Sequence, residues 1–200
     1  MSNSEIVDYI KKSFELRNQG FYKPAIEMLY KALSMDADNV EILAQLAHLY
    51  NLLNNYERAA YYIEKVLEIN PNHLDCLLLY EEMCLSQNNL IAAKEISERV
   101  YEIHPDSKTL AKRINILNKL HDFDKVKALE KSIKDNNDEV LYEIAFAYYE
   151  NYDIQKAIEI LNSAYEKNNK NEKIMLLLGK IYYDSNDFEN AKNIYERDFA

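Results

Sequence analysis

Four histidines, two cysteines, two glycines and 34 acidic residues are the parts of this 200-residue sequence that could serve metal, nucleophilic, phosphate or acid–base chemistry. Their spacing supports none of these. His48, His73, His104 and His121 are dispersed without the i, i+4 pairing that holds a metal from one helix face, so surface or packing roles are expected for them. Cys76 and Cys84 lie eight residues apart. On one helix that separation is about 12 Å of rise, beyond the reach of a disulfide. Both fall on an apolar helix face, which predicts buried free thiols in a reducing compartment. Gly20 and Gly179 are too far apart to build a phosphate-cradling loop, and no G-x-S-x-G turn is present. The acidic residues alternate with lysine at the i, i+4 spacing of solvated helix faces. No catalytic residue, cofactor or metal is therefore expected, and the chain reads as a non-enzyme.

The totals narrow the partners. A net charge of -10 disfavours nucleic acid and anionic membrane surfaces, which both demand a basic face. The N-terminal residues Met1-Ser2-Asn3-Ser4-Glu5 lack the basic and apolar blocks of a signal peptide. Even the apolar run Ile174 to Gly179 is broken by Lys180, far short of a membrane span. A cytoplasmic location is expected. With 48% hydrophobic residues but only 2 Gly and 3 Pro, the chain should be nearly continuous helix with short connections.

The elements come from a period. Ala25, Ala59 and Ala93 are spaced by 34, as are Pro71 and Pro105, and Ala157 and Ala191. Such a stride, carried by amphipathic segments, marks a stacked array of helical hairpins. Ser2 with Glu5, Asp38 with Glu41, and Asn72 are the expected helix starts, and Asn18-Gln19-Gly20 and Gln87-Asn88-Asn89 the expected turns. The stretch Asn54 to Pro71 shows one second helix in full: a polar turn, an amphipathic run with Ala59 and Val66 on one face, then a proline stop.

Leu46-Ala47 with Tyr50, Ile144-Ala145 with Tyr148, and Leu178-Gly179-Lys180-Ile181-Tyr182 share one first-helix pattern. Ala25 with Ala32, Ala59 with Val66, Ala93 with Val100 and Ala157 with Ala164 share the second, and Tyr22, Tyr56 and Phe188 take an aromatic place at the turn. In these residues the chain resembles the tetratricopeptide-repeat family over nearly its whole length. The resemblance implies an all-α fold, a right-handed superhelical stack of antiparallel hairpins with about six repeats. It also implies a protein–protein interaction scaffold that takes a partner peptide or helix in its concave groove.

The pattern lapses twice. From Lys108 to Asn137 the apolar spacing persists through Leu110, Ile114, Leu117, Phe123, Val126, Leu129 and Ile133, but Ala93 to Ala157 spans 64 residues where two strides need 68. No alanine or glycine holds the small-residue places. A short, degenerate repeat or hinge is expected at 107–137, dividing a single array 1–200 into three repeats (1–106) and two (138–200). At the far end Asp198 stands where a small residue belongs, and no polar capping helix precedes Ala200, an open edge that allows self-association.

Projecting the helical period assigns groove residues. These are Ile10, Phe14 and Arg17; Ala44, His48 and Asn51; Leu78, Glu82 and Leu85; Tyr142, Phe146 and Tyr149; and Leu176, Lys180 and Tyr183. The fourth repeat is left unassigned because its phase is ambiguous. Tyr142, Phe146 and Tyr149 form an aromatic stripe opposite the buried face of their helix, flanked by Glu139 and Glu150. Such a groove favours a neutral-to-basic ligand with apolar anchors, although the rings could equally pack against the next hairpin. The family's clamp for acidic chaperone tails uses lysine, arginine and asparagine. Here Ile10, Phe14, Gln45, Asp75 and Leu79 hold those places, which rejects that specialisation. Two alternatives remain: a recognition arm of a larger enzyme, such as a repeat-fused glycosyltransferase, and a self-associating structural module.

Overall fold

The computed structural model describes residues 3–131, 133 and 137–196. Ser2, Asp198 and Ala200, to which a cap, a lapse and an edge were assigned above, lie outside them. The described residues form twelve α-helices and no strand. They divide into two compact units, Met1–Ile103 and His104–Ala200. The first holds α1 (Asn3–Asn18), α2 (Tyr22–Leu33), α3 (Val40–Leu52), α4 (Tyr56–Ile69), α5 (Leu74–Ser86) and α6 (Leu90–Ile103). The second holds α7 (Ser107–Lys119), α8 (Phe123–Glu130), α9 (Asp138–Glu150), α10 (Ile154–Lys167), α11 (Glu172–Asp184) and α12 (Phe188–Glu196). Successive helices pair as hairpins, and within each unit the hairpins pack on one another.

Local chemistry explains where each helix begins. Asn39, Asn55, Asp106, Asn137, Asp153 and Asn171 accept a backbone N–H of the first turn, satisfying donors that have no partner inside the helix. The capping residue of α3 is thus Asn39 rather than Asp38. The cap of α5 is His73, whose Nδ1 accepts the Cys76 amide at 3.3 Å, rather than Asn72. Each hairpin turns through one residue in the left-handed region: Gly20, Asn54, Asn88, His121, Tyr152 and Asn186.

The caps also set the phase of packing. Eight residues after Asn39, Asn137 and Asn171 come Ala47, Ala145 and Gly179, all buried at the hairpin contact. The same place holds Ile114 in the fourth repeat, fully buried and larger than the Ala or Gly of those three repeats. Its second helix, α8, runs only 8 residues. The helix is fastened by Tyr148, whose hydroxyl donates to Glu130 at 2.5 Å and whose ring meets Phe123 edge-on.

In the first unit Ala25, Leu29, Leu46, Ala47, Ala59, Ile63 and Val66 are buried. A tyrosine relay crosses two hairpins. Tyr62 donates to the Tyr30 hydroxyl at 3.0 Å, Tyr30 and Tyr50 share a bond of 2.7 Å, and Arg58 donates to Tyr50. Cys76 and Cys84 are buried free thiols. Burial, and next the charge of Asp75, push the Cys76 thiol up to about 11, so it is not a thiolate nucleophile.

Candidate functional site: the first-helix faces

The residues expected to line a groove lie five, nine and twelve positions after the caps Asn39, His73, Asn137 and Asn171. In the first unit this face carries Phe14, Arg17, His48, Asn51, Leu78 and Glu82. Phe14 is 48% exposed with the Arg17 guanidinium 4.6 Å from its ring centre. His48 is half-buried. Burial, then the Arg17 charge, hold its imidazole below the ordinary value, while Asp75 and Glu82 act against them. The charges of Arg17 on α1 and Glu82 on α5 thus both reach His48 on α3, with opposite sign. Ile10 differs, since it is half-buried against the unit's core. Asn51 and Leu78 are also half-buried, whereas Glu82 is exposed.

In the second unit the same register fixes what sequence alone left open. Asp106 caps α7 in a reciprocal box with Thr109. Counting from it puts Ala111, Asn115 and Asn118 in the groove places of the fourth repeat. The Asp-x-x-Thr box was the signal that could have found them. Asn115 donates to Glu143 Oε1 at 3.0 Å, and Asn118 donates to Glu143 Oε2 at 3.1 Å and to its backbone carbonyl at 2.8 Å. Burial raises the Glu143 carboxyl above its usual range, against these hydrogen bonds and the charges of Lys119 and Lys173. Beside it opens a groove of about 270 Å3 whose lining includes Ala111, Lys112, Asn115, Tyr142, Glu143 and Lys173.

Along α9 the aromatic stripe is a continuous row. Tyr142 and Phe146 stack with ring centres 6.5 Å apart, and Phe146 and Tyr149 follow at 6.5 Å with a tilt of 54°. All three are half-buried. Tyr149 is not a free anchor along its whole length, because its hydroxyl is tied to Asp184 and Lys180 lies over its ring. Tyr183 is 61% exposed and meets Phe188 edge-on across the last hairpin. Chemically this face offers flat apolar surface, two carboxamides around a carboxylate, and charges of both signs.

Two family models match the chain. Residues 18–102 match the one described as anaphase-promoting complex, cyclosome, subunit 3, and residues 148–198 match a tetratricopeptide repeat. The BBSome complex member BBS4 homolog of Drosophila melanogaster is 24% identical over 204 residues, covering 98% of this chain and 41% of that protein. The chain therefore spans about two fifths of the curated relative it matches. Among solved structures, MamA superposes with a TM-score of 0.71 at 21% identity, over 86% of this chain and 96% of that one. A tetratricopeptide repeat protein from Parabacteroides merdae gives 0.73 at 14% identity, over 98% and 80%. YrrB, described as a TPR protein with an unusual peptide-binding site, gives 0.62 at 15% identity, over 84% and 89%. Hairpins, caps, period and these matches agree on a tetratricopeptide-repeat fold, and residues 148–198 match that family's own model. The fold it shares with them is that of a protein-interaction scaffold. No helix among the described residues is long and apolar enough to cross a membrane.

Proposed function

We propose that this protein is a non-enzymatic scaffold whose second unit takes an extended or helical segment of a partner protein across α7, α9 and α11. The observation that carries the reading is the row Tyr142–Phe146–Tyr149 running beside the Asn115, Asn118 and Glu143 cluster. Half-buried rings at a regular spacing supply anchors at small entropic cost, and adjacent carboxamides can satisfy a peptide backbone. Lys180 and Tyr183 belong to the same second-unit surface. In the first unit, taken by itself, Phe14, His48, Asn51, Leu78 and Glu82 offer a comparable mixture of apolar and polar groups, with Ile10 packed against the core. The partner segment is neutral to basic with apolar anchors, in keeping with a chain of net charge -10. That relatives are named as members of multi-subunit complexes supports a role in assembly. The two buried thiols suit a reducing compartment such as the cytoplasm.

The test is peptide selection. Random 12-residue peptides displayed on phage are selected on the full chain, and the winners are titrated against Tyr142→Ala/Phe146→Ala. Those two side chains are chosen because Tyr149 also serves the fold through Asp184. A loss of at least about tenfold with helicity unchanged is expected, on the scale of a hot-spot pair. Undiminished binding by the double variant would remove the groove assignment.

A further inference from the structure

Tyr152 occupies a backbone position that suits it badly. It has φ 64° at the α9–α10 turn, the left-handed place that the other hairpins give to Gly20, Asn54, Asn88, His121 and Asn186. Glycine, asparagine and histidine enter that region readily, whereas a bulky aromatic residue there is an outlier. Packing does not compensate, since Tyr152 is 90% exposed. A residue held against its backbone preference, with its ring in solvent, suggests a use outside the fold.

What surrounds it indicates which use. Tyr152 borders a cavity of about 370 Å3 with Tyr149, Glu150, Ile154, Asp184 and Ser185. Two aromatic rings and two carboxylates line it, and among the described residues no lysine or arginine does. Asp184 spends one oxygen on the Tyr149 hydroxyl and keeps a second for another donor. The chain already makes the matching contact once, where Lys180 lies 5.1 Å from the Tyr149 ring centre. A cation over an aromatic face beside carboxylates is favourable by both quadrupole attraction and charge.

We propose that Tyr152, with Glu150 and Asp184, is a docking point for an arginine side chain of a partner protein, the planar guanidinium stacking on the phenol ring. This site lies at the turn end of the hairpin and does not depend on the groove reading above. The probe is a blocked hexa-arginine peptide titrated calorimetrically into the full chain, with blocked hexa-glutamate as control.

Tyr152→Asn keeps the net charge, so it separates the ring from general attraction to an acidic protein. It should bind hexa-arginine roughly three- to tenfold more weakly, on the scale of a cation–aromatic contact. It should also melt about 2 °C higher, because the left-handed strain is relieved. Tyr152→Phe should bind like the natural chain. Tyr142→Ala/Phe146→Ala should also keep hexa-arginine, which has no apolar anchor, so a failed groove leaves this site standing and the reverse. Unchanged hexa-arginine affinity in Tyr152→Asn, no gain in its melting temperature, or equal binding of hexa-glutamate would each overturn the proposal.

Discussion

Tyr149 donates its hydroxyl to Asp184 Oδ2 at 2.5 Å, joining α9 to α11, the first helices of successive hairpins. The bond, more than burial or the negative charges nearby, pushes the phenol up to about 12, because ionisation would set two anions face to face. The sequence marks Tyr149 as a binding anchor. The structure makes it also a strut between repeats, and only its ring remains for a ligand.

Tyr149→Phe keeps the ring under Lys180 and deletes the bond. Urea unfolding should show a loss of about 0.5–1 kcal/mol, the range of a partly exposed hydrogen bond. Asp184→Asn should cost less, and the double variant less than the two together, since both remove one contact. Strict additivity would show that the contact does not couple α9 and α11.

How much of this was legible depends on whether a feature recurs. The helices and their small-residue contacts repeat with the stride, so Ala59, Ala157 and their counterparts announce the hairpins without any structure. Ile114 breaks the pattern in the fourth repeat and hides its phase, which only the Asp106–Thr109 box restores. His73 was missed as a cap because imidazole is an uncommon acceptor there, although it falls 34 residues after Asn39. The pairing of Asn115 and Asn118 with Glu143 links helices 25 to 28 positions apart. Helix-to-helix approach sets that pairing, and no spacing encodes it. The strain at Tyr152 was equally silent, because the sequence shows a tyrosine in a turn and not its φ.

His48 should make the first unit sensitive to mild acid. Its imidazole is held below 6.5 by burial and then by Arg17, so the unfolded chain takes up a proton before the folded one does. The associated stability is present above about pH 6.5 and drains as pH falls through the lower folded value. His48→Gln should flatten that part of the melting-temperature profile between about pH 7.5 and 5. A profile as steep as that of the natural chain would assign the loss to other groups.

Glu143 should act with the opposite sign. Burial raises its carboxyl above 4.5, so its contribution is complete below the unfolded value and is lost as pH rises through the folded one. At neutral pH the ionised group carries a desolvation penalty that the Asn115 and Asn118 amides only partly offset. In Glu143→Gln the carbonyl can still accept one of those amides. The melting temperature of the variant relative to the natural chain should therefore improve as pH is raised from about 4 to 7. A difference that stays flat across this range would mean the carboxylate is solvated well enough to titrate normally.

Gly179 sits where Ala47 and Ala145 sit in their repeats, and its reason for being glycine is a neighbour. A Cβ added there would stand 2.5 Å from Cζ of Tyr195 and 2.8 Å from its hydroxyl, closer than atoms can approach. Alanine in mid-helix is otherwise favoured over glycine by about 1 kcal/mol. The two effects oppose each other. The Tyr195 ring is 39% exposed and can swing outward at a modest loss of contact. Gly179→Ala should thus lie within about 0.5 kcal/mol of the natural chain, propensity being offset by the displaced ring. In a Tyr195→Ala background the obstruction is gone, and the same substitution should stabilise by about 1 kcal/mol. The cycle is read by urea unfolding of the four chains. An equal effect of Gly179→Ala in both backgrounds would show that the glycine answers to something other than the packing of α12 against α11.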